Sequence, residues 1–227
     1  KYALETISCA INAGASWIVL CDTNGGLLPH EIPPIFKEVR EHLGKVPLGI
    51  HAHNDSGMAN AIAIEAFLNG ARMIQGTMNG FGERCGNTDL TTILPILKLK
   101  MGVNCISEDS LRNLTKVSGF IYEQANLPHV DDQPFVGKNA FAHKGGVHVS
   151  AILKNVKTYE HIDPELVGNR RNMKISELSG KASILNYAKK FGIPLTEDNP
   201  KIPAILEVIK EKERLGYSYE GAEGSLE

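Results

Sequence analysis

One plan repeats three times in the first hundred residues: a short apolar run, a polar glycine-containing loop, then an amphipathic segment. The runs are Trp17-Ile-Val-Leu-Cys21, Pro47-Leu-Gly-Ile-His51 and Arg72-Met-Ile-Gln75. Their spacing of about 25 to 30 residues is the length of one strand-loop-helix unit, so the plan predicts parallel strands joined by crossover helices. Each run is followed at once by polar residues: Asp22-Thr-Asn-Gly-Gly26, then His51-Ala-His-Asn-Asp55, then Asn79-Gly-Phe-Gly-Glu-Arg84. Polar groups at the carboxyl ends of successive parallel strands share one face, where barrels and open α/β sheets place their sites. Residues 1–13 read as a helix, with Ala3, Ile7, Ala10 and Ile11 at helical spacing.

The plan changes at about Val103. Residues 108–126 read as a single long helix with no comparable apolar strand after it, and 127–139 carry Pro128, Pro134 and Gly137, the composition of an ordered loop or linker. Three segments are therefore expected: a βα region over 1–102, a helix and linker over 103–139, and small, mostly helical subdomains over 140–227. Helices are expected at 182–191 and 202–215, the second with a solvated charged face through Glu207-Val-Ile-Lys-Glu-Lys-Glu-Arg214. The chain opens on Lys1 already inside a helix and trails from Gly221 without a capping element, so it reads as part of a longer protein.

Charge narrows the partners. With 24 Lys+Arg against 26 Asp+Glu, the net charge of −2 builds in no attraction to nucleic acid or anionic membrane. No apolar run approaches the roughly 20 residues that span a bilayer, and a cytoplasmic location is expected. Cys9, Cys21, Cys85 and Cys105 lack C-x-x-C spacing, which argues against a zinc knuckle or a disulfide framework. They are expected to be reduced thiols in or near the core.

His51 and His53 are the residues most suited to chemistry. Separated by one residue on a strand, their side chains share a face with Cβ atoms about 7 Å apart. That arrangement suits two imidazoles closing on one cation, and it also fits a pair of surface histidines at a strand end. Asn87 can add an amide oxygen. Two imidazoles and an amide leave a neutral, open set that needs a carboxylate from outside this chain, and mixed N/O donors favour Zn, Mn or Mg over Ca. Gly80, Gly82 and Gly86 do not match the G-x-G-x-x-G phosphate fingerprint. Glu83 and Arg84 are expected either to pair and rigidify that loop or to act in catalysis.

The pattern Leu48-Gly-Ile-His-Ala-His-Asn-Asp-Ser-Gly-Met-Ala-Asn-Ala61 followed by Asn79-Gly-Phe-Gly-Glu-Arg-Cys-Gly-Asn87 resembles the 2-isopropylmalate, homocitrate and citramalate synthase family of metal-dependent Claisen-condensing enzymes. The likeness extends through Phe141-Ala-His-Lys-Gly-Gly-Val-His148, Thr158-Tyr-Glu-His-Ile-Asp-Pro164 and Ser176-Glu-Leu-Ser-Gly180. Residues 20–26 and 159–168 look most like the citramalate synthase branch.

The resemblance implies an α/β fold holding the last three βα units of a TIM (β/α)8 barrel, followed by the family's small subdomains. It also marks a departure. The family's opening Asp-x-x-Leu-Arg-Asp-Gly motif, with its metal-binding aspartate, is absent from these residues, as are a mid-barrel catalytic glutamate and a regulatory domain. Negligible synthase activity is accordingly expected of this chain alone.

What the likeness implies chemically is condensation of acetyl-CoA with a 2-oxo acid, pyruvate by the branch likeness, in a homodimer that binds one divalent metal per site. Thr23 would hydrogen-bond the oxo acid's carboxylate. His148 and Tyr159 match the family's catalytic positions, activating water or relaying protons from beyond the linker onto a neighbouring subunit's barrel. His143 is equally well read as catalytic or structural. A metal-dependent aldolase or lyase on the same barrel would use the same H-x-H pattern, and a partial barrel could also serve only as a dimerisation or structural piece.

Overall fold

The computed structural model describes residues 1–144, 146–173 and 180–219. It divides the chain into two compact units, Lys1–His129 and a second from Val130 onward.

In the first unit, helix α1 (Tyr2–Asn12) precedes three strands, β1 (Ile18–Asp22), β2 (Leu48–Ala52) and β3 (Met73–Gln75), all parallel in the order β1-β2-β3. The register sets Cys21 opposite His51 and His51 opposite Gln75, so the three strands end together. Helices α2 (Ile32–Leu43) and α3 (Ala59–Leu68) make the crossovers. Pro33 and Pro34 stand in the first turn of α2, where the missing amide hydrogens cost no helical bond. Helix α3 is apolar nearly all round and buries Ala59, Ile62, Ala63 and Ala66. Its small side chains let it sit close on β2, whose Leu48, Gly49, Ile50 and Ala52 are buried. Ile32, Phe36 and Val39 of α2 complete that core with Ile93 and Leu97.

After β3, Asp89 caps helix α4 (Leu90–Pro95) by accepting from the Thr91 amide at 2.8 Å. The expected long helix over 108–126 is instead two, α5 (Glu108–Arg112) and α6 (Leu114–Gln124). The break falls at Asn113, whose Nδ2 donates to the Asp109 carbonyl at 2.9 Å and competes with the backbone for it.

The second unit pairs two short parallel strands, β4 (Ala142–His143) and β5 (Asn172–Met173), among α7 (Gly146–Lys154), α8 (Lys181–Lys190) and α9 (Ile202–Arg214). Ile184, Tyr187 and Ile209 form a core between α8 and α9, and the Tyr187 hydroxyl donates to the Met173 carbonyl at 2.7 Å. Residues 176–179 of the resemblance and the tail from Gly221 lie outside the described residues.

The four cysteines are exposed, which corrects the core placement expected for them. Cys9 lies on α1, a helix that buries no residue; Cys21 is the exposed position of β1; Cys85 and Cys105 sit in loops. No described helix is long and apolar enough to cross a membrane.

A buried charge cluster stabilises the second unit. Glu160, 7% exposed, accepts from Arg171 Nε at 2.6 Å and lies 3.1 Å from His143 Nε2. Burial alone would raise the Glu160 carboxyl, but its bonds to Arg171 and His143 outweigh burial and hold it below the usual glutamate value. A depressed folded-state value means that the charged carboxylate stabilises the fold above the ordinary glutamate pKa of about 4.3, and that this contribution is lost as pH falls through the folded value. Glu160→Gln is expected to lower stability at neutral pH by about 3 kcal/mol, the low end for a broken buried pair because Arg171 stays partly wet. Urea melts across pH should show the gap between wild type and variant flat above about pH 5 and shrinking below about 4.

Candidate active site

The site is built from the three loops that follow the strands of the first unit. Asp22 ends β1 as a buried carboxylate, accepting from the Gly26 amide at 3.3 Å and the Leu27 amide at 3.2 Å. These bonds fold the loop back on itself and present Thr23 at its exposed turn. Ser56 of the second loop donates from its amide (3.1 Å) and its hydroxyl (2.6 Å) to the Gly25 carbonyl. The third loop closes on the second through the Asn54 amide, which donates to the Gly86 carbonyl at 2.9 Å.

His51 and His53 do share a face, with ring centroids 5.2 Å apart and planes tilted by 59°. His51 Nδ1 lies 3.2 Å from the Gln75 side-chain oxygen. A bond there assigns the proton to Nδ1 and leaves Nε2 with a lone pair. His53 pairs with Asn87 in a single antiparallel bridge. The Asn87 amide nitrogen donates to the Phe81 carbonyl at 3.0 Å, which fixes the orientation of its oxygen.

Two further atoms are left over. His53 Nδ1 and Asn87 Oδ1 are buried without a hydrogen-bond partner. A buried polar atom without a partner carries an uncompensated desolvation cost, and a nitrogen and an amide oxygen are both atoms that a divalent cation accepts. Among the described residues no three His, Cys, Asp or Glu side chains gather, so the donors that the chain brings together are two imidazoles and one amide.

Glycines explain how Asn87 arrives there. A Cβ on Gly82 would overlap the Asn87 amide, and one on Gly86 would overlap the Gly80 carbonyl. The glycines of this loop therefore serve close packing around Asn87 rather than a phosphate.

Thr23 lines an open cavity of about 620 Å³ together with Cys21, Asp22, Asn24, Leu27 and Arg84. The two histidines and Asn87 do not line it; they are joined to it through the backbone, the His53 amide donating to the Asp22 carbonyl at 3.2 Å. Arg84 pairs with Asp55 and not with its neighbour Glu83: Nε to Oδ1 is 2.6 Å and Nη2 to Oδ2 is 2.9 Å. The left-handed backbone at Arg84, φ 55°, carries its side chain toward the second loop. This bond to Arg84 holds the Asp55 carboxyl below its usual range.

In the second unit the His148 and Tyr159 rings stack at 4.2 Å between centroids, 29° from parallel, and both residues are exposed. His148 projects from α7. Tyr159 follows a short 3-10 turn capped by Asn155, whose side chain accepts from the Lys157 amide at 3.0 Å. His143, by contrast, is buried against Glu160.

Sequence reasoning singled out neither Gln75 nor Asp55. Gln75 was findable as the residue ending the third apolar run level with His51 in the second. The pairing of Asp55 with Arg84 spans 29 residues and leaves no local signal.

The HMGL-like family matches residues 1–121, more than half of the chain. The chain belongs to the HMGL-like family. A second match, homocitrate synthase post-HMGL domain-like, covers residues 135–214. Among curated relatives, the (R)-citramalate synthase of Aquifex aeolicus is 50% identical over 227 residues, and that of Geobacter sulfurreducens is 53% identical over 226. Both alignments cover 100% of this chain and 43% of the relative, so the chain spans less than half the length of the proteins it matches. Among solved structures, the HMG-CoA lyase of Bacillus subtilis superposes with a TM-score of 0.51 at 20% identity, over 56% of this chain and 43% of that one. That superposition agrees with the parallel βα fold expected from the repeated units. The HMGL-like match agrees with the family expected from the His51 and Gly80 motifs.

The loop geometry predicts two different glycine costs. Gly57 has φ 73° and open space around it, whereas Gly86 has φ 88° and the Gly80 carbonyl against it. Gly57→Ala should cost about 1 kcal/mol, the left-handed penalty alone. Gly86→Ala should cost about 3 kcal/mol or more, with denaturant midpoints as the measurement.

Proposed function

We propose that this chain is the part of an (R)-citramalate synthase that supplies most of the metal donors and the acid-base pair, in an enzyme that condenses acetyl-CoA with pyruvate. The observation that carries the reading is the 50–53% identity to (R)-citramalate synthases over the whole chain. The two orphaned atoms at His53 and Asn87 support a metal-dependent reaction.

His51, His53 and Asn87 would hold one divalent cation, Zn, Mn or Mg, with a carboxylate from elsewhere in the protein as a further ligand. When bound, the cation supplies Lewis-acid polarisation of the oxo acid's carbonyl. Thr23 donates its hydroxyl hydrogen to the oxo acid's carboxylate and so orients the carbonyl carbon toward the attacking methyl. His148 and Tyr159 hold and move protons: stacked and solvent-facing, they can take a proton from water for hydrolysis of the product thioester, which makes the condensation irreversible. The protein is read as a cytoplasmic homodimer in which the His148–Tyr159 pair of one subunit serves the barrel of the other.

Release of free thiol from acetyl-CoA tests the reaction, with the full-length polypeptide as the enzyme. Thiol should appear with pyruvate and fall away on chelation or in His53→Ala, and a higher kcat/KM with 2-oxoisovalerate would overturn the substrate. Methyl and isopropyl differ by two carbons, worth roughly 1–3 kcal/mol per methylene in an apolar pocket, so preferences of at least tenfold are expected.

The crossed arrangement has its own test. His148→Ala and His51→Ala proteins, each inactive alone, should regain activity when mixed and allowed to exchange subunits, because one site of the mixed dimer is then intact. No recovery, with exchange confirmed by mass, would place His148 in its own subunit's site or outside catalysis.

A further inference from the structure

Arg84 spends its guanidinium on two loops other than its own. Nε and Nη2 grip the Asp55 carboxylate in the second loop, at 2.6 and 2.9 Å, and Nη2 also donates to the Thr23 carbonyl in the first loop at 2.8 Å. Arg84 itself belongs to the third loop, three residues before Asn87. One side chain therefore joins the peptide of Thr23, the loop that follows His53 and the loop that carries Asn87.

Stability alone is a poor account of this contact. The Arg84 side chain is 46% exposed and that of Asp55 25%, and ion pairs this wet contribute little to folding. The residue also sits at φ 55°, a conformation in which a non-glycine residue is disfavoured. Its partners are packed to receive it: Asp55 lies so close to Gly25 that a Cβ there would overlap the carboxylate. Lysine cannot replace this geometry, since a planar fork is needed to meet both carboxylate oxygens while reaching a carbonyl.

We propose that Arg84 is a positioning residue, a latch that holds the Thr23 peptide and the Asn87 loop in one fixed arrangement across the carboxyl ends of the three strands. Its link to substrate rests on the function proposed above for Thr23; the latch itself rests on contacts within the first unit. Loss of the latch loosens the Thr23 peptide and the Asn87 loop relative to the strands.

Hydrogen exchange by mass spectrometry on the full-length polypeptide tests the latch without any turnover. In Arg84→Met, peptides covering 22–28 and 80–89 should exchange about tenfold faster while the α2 peptide, 32–43, is unchanged. Arg84→Lys should fall between, and it decides the matter if the methionine variant does not fold. Arg84→Met combined with Asp55→Asn should exchange no faster than Arg84→Met alone, because Arg84→Met already removes the contact that Asp55→Asn breaks. In kinetics, KM for the 2-oxo acid should rise about tenfold, and Arg84→Lys should recover part of that rise. Unchanged exchange in both Arg84 variants overturns the latch, and so does equal acceleration in 32–43, which would mark a general loss of stability. A wild-type protein that turns over no 2-oxo acid defeats the functional reading, and the exchange result still decides the latch.

Discussion

Backbone pairing that continues past the ends of the strands is the constraint on which the site depends. A parallel strand that stopped at Ala52 would leave donors and acceptors unmatched at the carboxyl edge. Here they are matched by the loops: the His53 amide donates to Asp22, the Thr88 amide to Ala52, and the Thr77 amide to Thr88, at 3.0 to 3.2 Å. The ladder is thus handed from strand to loop, and His53 and Asn87 face each other because they are the next pair in it. Side-chain chemistry follows from the peptide bonding and not the reverse.

This explains which parts of the site were legible in the sequence. The three strands announced themselves because they are short apolar runs at regular spacing, and the polar residues after them had to share a face once the strands were parallel. The shared face of His51 and His53 follows from strand alternation alone. Asn87 needed more. Its place depends on glycines whose role is to admit neighbouring atoms, and a G-x-G-x-x-x-G spacing does not say which atoms those are.

The illegible features are contacts between distant residues or competitions decided by one side chain. Arg84 had a carboxylate beside it in sequence at Glu83, yet its left-handed backbone directs it to Asp55. The helical pattern over 108–126 is sound in composition, and a single asparagine amide taking the Asp109 carbonyl is enough to divide it. The cysteines were placed by their usual preference for the interior, which carries no information about α1, a helix that buries no residue.

The two units use charge in opposite ways. In the first, the buried carboxylate beside His53, Asp22, is occupied by two backbone amides. In the second, the buried charge of Glu160 is fully engaged by Arg171 and His143, one residue after Tyr159 in the chain. A carboxylate fixed at that point anchors the backbone from which Tyr159 stacks on His148, while both rings remain open to solvent. The first unit thus holds its buried carboxylate by backbone amides, and the second holds its own by side chains.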